Sequence, residues 1–149
     1  MYKLYLSIFA LGLLIRVCLF TLTWPGADIA NFKDTAAIAN AGGNVYREQY
    51  YYNYSPVPAL IVSLLARLPF PFADTFRVFV AVCDLVNAVL ISRLVTWKTG
   101  AFAIVWLSPP LMLFGAWDAQ FEALTLTPLL IALTLVRCWS SAPSRSAVS

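Results

Sequence analysis

The sequence predicts an all-α, multi-pass transmembrane bundle with amphipathic juxtamembrane helices in its first extracytoplasmic loop. Three observations predict it: 61% of the 149 residues are hydrophobic and 11% charged, the mean hydropathy is +0.78, and several apolar runs approach bilayer length. A soluble domain is normally about a quarter charged, and crossing a hydrocarbon core of about 30 Å takes roughly 20 apolar residues. The first span runs from Leu4 to Trp24. It is too long for a signal-peptide core, carries Arg16, and lacks a following small-residue cleavage site, so it reads as a retained helix. The next two run from Phe76 to Val95 and from Ala101 to Trp117. A fourth, residues 121 to 137, is apolar all round through Leu124, Leu126, Leu129, Leu130, Ile131, Leu133 and Leu135. Residues 1–139 thus form one membrane module, and the Ser, Ala and Pro-rich tail over 140–149 is expected to be disordered.

Composition also excludes. The chain has no histidine, which removes His-liganded zinc, Ser-His-Asp triads and Cys-His nucleophiles, because each needs an imidazole. A net charge of +3 spread along the chain offers no footprint for nucleic acid. Cys18, Cys83 and Cys138 are odd in number and set in apolar runs, so they read as small hydrophobes rather than a disulfide framework.

Between the first two spans lies an outer loop, residues 25–75. Within it Ile29, Phe32, Thr35, Ala36 and Ala39 fall near helical spacing, predicting a short amphipathic helix on the outer surface that ends at Gly42-Gly43. The Tyr46 to Tyr54 cluster reads either as an aromatic belt at the headgroups or as a wall that stacks on a sugar or prenyl chain. Val57 to Leu68 is about a dozen residues bounded by prolines, hence interfacial or re-entrant rather than crossing. Topology turns on that segment. If it does not cross, Lys3, Arg93, Lys98, Arg137 and Arg145 lie on the cytoplasmic side against Lys33, Arg47, Arg67 and Arg77 outside, in the expected sense. Six of the seven acids, Asp28, Asp34, Glu48, Asp74, Asp118 and Glu122, then lie at or near the outer face. If it crosses, the bias reverses.

Arg16 and Asp84 sit inside spans, where a charge marks a site or a pair. Each lies about eight residues below the outer end of its helix, roughly 12 Å deep at 1.5 Å per residue, so they are placed to meet. A structural ion pair, a catalytic role and snorkelling of Arg16 are the three readings. Asp28, at the exit of the first span, and Asp118, before the fourth, are interfacial carboxylates that suit solvated caps, a hard cation such as Mg or Mn, or general-base work on a sugar hydroxyl.

The order of these features resembles the first luminal loop of GT-C glycosyltransferases: Ala27-Asp28-Ile29, Lys33-Asp34-Thr35-Ala36-Ala37, Gly42-Gly43-Asn44-Val45-Tyr46, Tyr52-Asn53-Tyr54-Ser55-Pro56, then Val82-Cys83-Asp84-Leu85 and Trp106-Leu107-Ser108-Pro109-Pro110 leading to Glu122. The likeness is to the catalytic subunit of GPI mannosyltransferase I and to bacterial polyprenyl-phosphate-mannose-dependent mannosyltransferases, over about Leu14 to Arg137. It implies sugar transfer from a polyprenyl- or dolichyl-phosphate donor to an extracytoplasmic acceptor. It places the chain in the bacterial plasma membrane or the endoplasmic reticulum. Asp28 stands at the family's catalytic carboxylate, and Asp118, with Glu122, at a second acidic motif that helps bind a metal. Asp34, Arg16, Arg77 and Tyr54 would contact substrate, the arginines by offsetting phosphate charge. Two departures stand out: the second acid of the family's Asp-x-Asp is Ala30 here, and Gln120 follows Asp118 where the other motif has an acid. Family enzymes also carry more spans, which implies a partial form, or a second membrane chain that completes the fold. The reading from another class is a non-catalytic membrane scaffold that binds lipid or partner helices.

Overall fold

The computed structural model describes residues 2–24, 26–50, 52–117 and 122–140. All regular structure among them is helical: α1 (Tyr2–Leu22), α2 (Ala27–Asn40), α3 (Val45–Glu48), α4 (Pro56–Leu65), α5 (Phe72–Leu94), α6 (Lys98–Trp106), α7 (Pro109–Leu111), a π-helical turn (Met112–Trp117) and α8 (Glu122–Ser140). Three helices are long and apolar enough to cross a membrane: α1, α5 and, from Ala123 on, α8. The 21 residues of α1 and 23 of α5 reach about 32 and 35 Å at 1.5 Å per residue. The ten residues of α4 reach only about 15 Å, half a hydrocarbon core.

The segment expected as one span over 101–117 is not a continuous helix. Pro109 and Pro110 have no N–H to return to the carbonyls of Val105 and Trp106, so the ladder stops there. Both orphaned oxygens find other donors. Val105 O accepts from the Ser108 N–H at 3.3 Å, and Trp106 O accepts from Arg16 Nη1 at 2.9 Å. The broken segment runs back along α5, with Phe102 and Trp106 beside Ala88 and Gly115 beside Val80 and Asp84.

The amphipathic helix expected in the outer loop is α2. Its buried residues are Ile29, Phe32, Thr35 and Ala36, and it ends in a Schellman arrangement: Gly42 takes φ +75°, its N–H bonds Ala39 O at 3.2 Å, and Gly43 N–H bonds Ile38 O at 2.9 Å. That apolar face packs with Val62 of α4 and Phe76, Val80 and Cys83 of α5. Phe32 and Phe76 meet with ring centroids 5.2 Å apart. The loop helices therefore sit on the N-terminal end of α5.

α1 buries little more than Gly12 and Arg16, while Leu4, Leu11, Leu14 and Val17 remain about half exposed. Gly12 is required by contact: a Cβ there would overlap the Trp106 indole, whose Nε1 donates to Phe9 O at 3.1 Å. Gly12→Val is therefore expected to cost about 1–3 kcal/mol through overpacking, read as a lowered thermal midpoint of the detergent-solubilised chain.

Candidate functional site

Asp28 lies in the first turn of α2, where the helix dipole favours a carboxylate. Asn31, Phe32 and Thr35 follow three, four and seven positions on, so all four share one face of the helix. The chain then returns through Gln49, Tyr52, Asn53 and Tyr54, and these eight residues line a pocket of about 260 Å³. That is just below the roughly 300–1,000 Å³ of sites for drug-sized ligands.

The return strand of chain is held by hydrogen bonds. Gln49 Nε2 donates to Asn31 O at 2.7 Å, and the Thr35 hydroxyl bonds Gln49 Oε1. Tyr52 is buried and donates its hydroxyl to Ser55 O at 2.8 Å. Burial pushes its phenol above the usual tyrosine range. Its ring sits edge-on to Tyr46 at 5.4 Å and to Tyr54 at 5.7 Å, and Tyr54 leans on Phe32 at 5.7 Å. The tyrosine cluster is thus divided. Tyr52 and Tyr54 build one wall of the pocket, whereas Tyr50 is 93% exposed.

The other expected site residues fall elsewhere. Asp34 is exposed and six positions from Asp28, about 240° around the helix, so α2 does not bring the two acids together. Arg16 is 1% exposed in the bundle, its Nη2 3.2 Å from Asp84 Oδ2 and its guanidinium carbon 3.7 Å from the Trp106 ring centroid. Between the readings of an ion pair, a catalytic role and snorkelling, this geometry has the form of a helix-to-helix pin. Arg77 of α5 donates to the C-terminal end of α1: to Phe20 O at 3.3 Å, Thr23 O at 3.4 Å and Thr23 Oγ1 at 2.6 Å. Asp118, the side chain of Glu122 and the 140–149 tail beyond Ser140 lie outside the described residues.

No group of three or more His, Cys, Asp or Glu side chains converges among the described residues. The pocket offers a metal one carboxylate, Asp28. Mg or Mn commonly takes one or two protein carboxylates and completes its shell with water and substrate phosphate, so Asp28 supplies one such ligand, while Asp118 and the side chain of Glu122, the acids expected to hold the ion, lie outside the described residues.

Sequence reasoning passed over Asn31, Gln49 and Asn53, which supply the amide groups of the pocket, and Asn87, whose Nδ2 donates to Ala123 O at 2.8 Å and ties α8 to α5. The i, i+3, i+7 spacing of Asp28, Asn31 and Thr35 is the signal that would have found the first of them. No family model, curated protein or solved structure matches this chain.

Proposed function

We propose that this chain is an integral membrane protein, with α1, α5 and α8 crossing the bilayer, the broken helical segment over 98–117 returning between α5 and α8, and α2 to α4 capping its extracytoplasmic side. In this reading it is the N-terminal module of a GT-C-like glycosyltransferase, mannosyltransferase-like, acting in a bacterial plasma membrane or the endoplasmic reticulum. The observation that carries it is the Asp28 pocket: a carboxylate among amides, a hydroxyl and tyrosine rings, placed six residues beyond the end of a membrane-length helix. Amides and carboxylates bind sugar hydroxyls, and aromatic faces bind the C–H faces of the ring.

Asp28 is the general base. It takes the proton of the acceptor hydroxyl as that oxygen bonds to the anomeric carbon, and the bond from that carbon to the polyprenyl- or dolichyl-phosphate oxygen breaks with its electron pair leaving on the phosphate. Tyr52 and Tyr54 hold the sugar, and Asn31, Gln49 and Asn53 orient its hydroxyls. Membranes of cells making the chain, supplied with radiolabelled polyprenyl-phosphate mannose, are expected to release mannose from the donor onto membrane acceptors in an Asp28-dependent way. Turnover indifferent to Asp28 would remove the enzyme reading.

A second reading has its own observation. The apolar residues of α1 are largely uncovered by this chain, which suits a scaffold that binds lipid or a second membrane chain. The two share one topology, testable alone. In a background lacking Cys18, Cys83 and Cys138, Asn44→Cys is expected to label with an impermeant thiol reagent on intact cells, and Thr96→Cys only after permeabilisation. Labelling of both on intact cells contradicts a crossing by α5.

A further inference from the structure

Two apolar grooves and one polar pocket adjoin in pairs around the N-terminal part of α5, at Val78, Phe20 and Asp74. The first groove, about 250 Å³, lies between α1 and α5 and is lined by Leu13, Val17, Phe20, Val78, Val82 and Leu85 among others. Through Phe9 and Leu85 it continues into a further cleft beside Tyr5 and Val89. The second groove, about 480 Å³, lies between the end of α4 and α5, where Leu65, Leu68, Phe70, Val78 and Phe79 line it. Val78, half exposed, belongs to both and forms the fork between them.

Both grooves reach a polar pocket of about 310 Å³ at the C-terminal end of α1, the first through Phe20 and the second through Asp74. Asp74 and Arg77 are its charged residues, Thr21 and Thr23 contribute hydroxyls, and Trp24, 89% exposed, stands at its edge. An indole at that level marks the headgroup layer. The pocket thus carries one negative and one positive charge, with two apolar channels leaving it.

We infer that this fork is a binding site for a diacyl phospholipid with a zwitterionic, amine-bearing head, of the phosphatidylethanolamine class. One acyl chain follows the α1–α5 groove and the other the α4–α5 groove, parting around Val78. The lipid phosphate lies beside Arg77, which keeps its hydrogen bonds to Phe20 O, Thr23 O and Thr23 Oγ1 and acts on the phosphate through its charge, and the ammonium hydrogen-bonds Asp74. A singly acylated lipid leaves one groove empty, and a glycerol head leaves Asp74 facing the phosphate without a cation between them. The inference rests on the membrane part of the reading above and is independent of sugar transfer.

The test is native mass spectrometry of the delipidated, detergent-solubilised full chain titrated with phosphatidylethanolamine, phosphatidylglycerol and lysophosphatidylethanolamine of matched chain length. The unsubstituted chain is expected to prefer the first over each of the others by about tenfold, the worth of one charge-assisted contact. Asp74→Asn, at an exposed position, should bring the two diacyl lipids to parity while leaving the diacyl preference intact. Val78→Trp, also exposed, should fill the fork and weaken all three. Equal binding of both heads by the unsubstituted chain, or binding indifferent to Val78→Trp, overturns the site. A chain that stays in the aqueous fraction without detergent overturns the membrane reading itself, whereas loss of mannose release alone touches neither.

Discussion

Asp84→Ala is expected to destabilise the chain by about 3–5 kcal/mol, since removing one partner of a buried pair strands the other charge. Arg16 is 1% exposed, so its charge has no ready route to water. The measurement is the thermal midpoint in detergent, and two comparisons separate the contributions. Asp84→Asn keeps an acceptor near Arg16 Nη2 and should lose less. Arg16→Met combined with Asp84→Leu removes both charges, but also removes the donor that Trp106 O receives at 2.9 Å. The double variant should therefore recover part of the loss and remain about 1–3 kcal/mol below the parent, the cost of one unsatisfied buried carbonyl. Full recovery would mean that capping the broken helix contributes nothing.

Asp28→Asn is expected to lower kcat for mannose release by about 10²–10⁴, the usual worth of a general base, with little change in KM because the amide still fills the pocket. Its thermal midpoint should stay close to the parent's, since Asp28 is only half-buried and the helix-dipole interaction it gives up is worth about 0.3–1 kcal/mol. Asp34→Asn, on the far side of α2, is the control and should leave release unchanged. A fall in kcat with Asp34→Asn equal to that with Asp28→Asn would move the base away from this pocket.

What was legible in the chain follows local rules. The apolar runs place α1, α5 and α8 to within a few residues, because a helix that meets lipid must be apolar around its whole circumference. The α2 face and its stop at Gly42 follow from 3.6-residue spacing and from the freedom of glycine at positive φ. Arg16 and Asp84 announce themselves as partners because each is a charge in an apolar helix. The run from Ala101 to Trp117 owes its break into several short helical pieces to an equally local cause. Its hydropathy is that of a span, but Pro109 and Pro110 withdraw two donors from the ladder, and apolarity does not report hydrogen bonds.

The sequence by itself therefore determined the helical class, the membrane-length segments, the outer-loop helix and the acid at its first turn, all of which depend on neighbours within about one or two turns. Only the tertiary structure decided that Gln49 crosses back to Asn31 and Thr35 to close the Asp28 pocket, that Asp34 stays outside it, and that Trp106 covers the Arg16 guanidinium. It also decided that Arg77 clamps the end of α1 and that two grooves fork at Val78. These pairings join residues up to 90 positions apart. Periodicity cannot specify which faces of two helices meet, because many registers bury similar apolar area, and the choice falls to contacts such as the indole on Gly12 and the pair at Asp84.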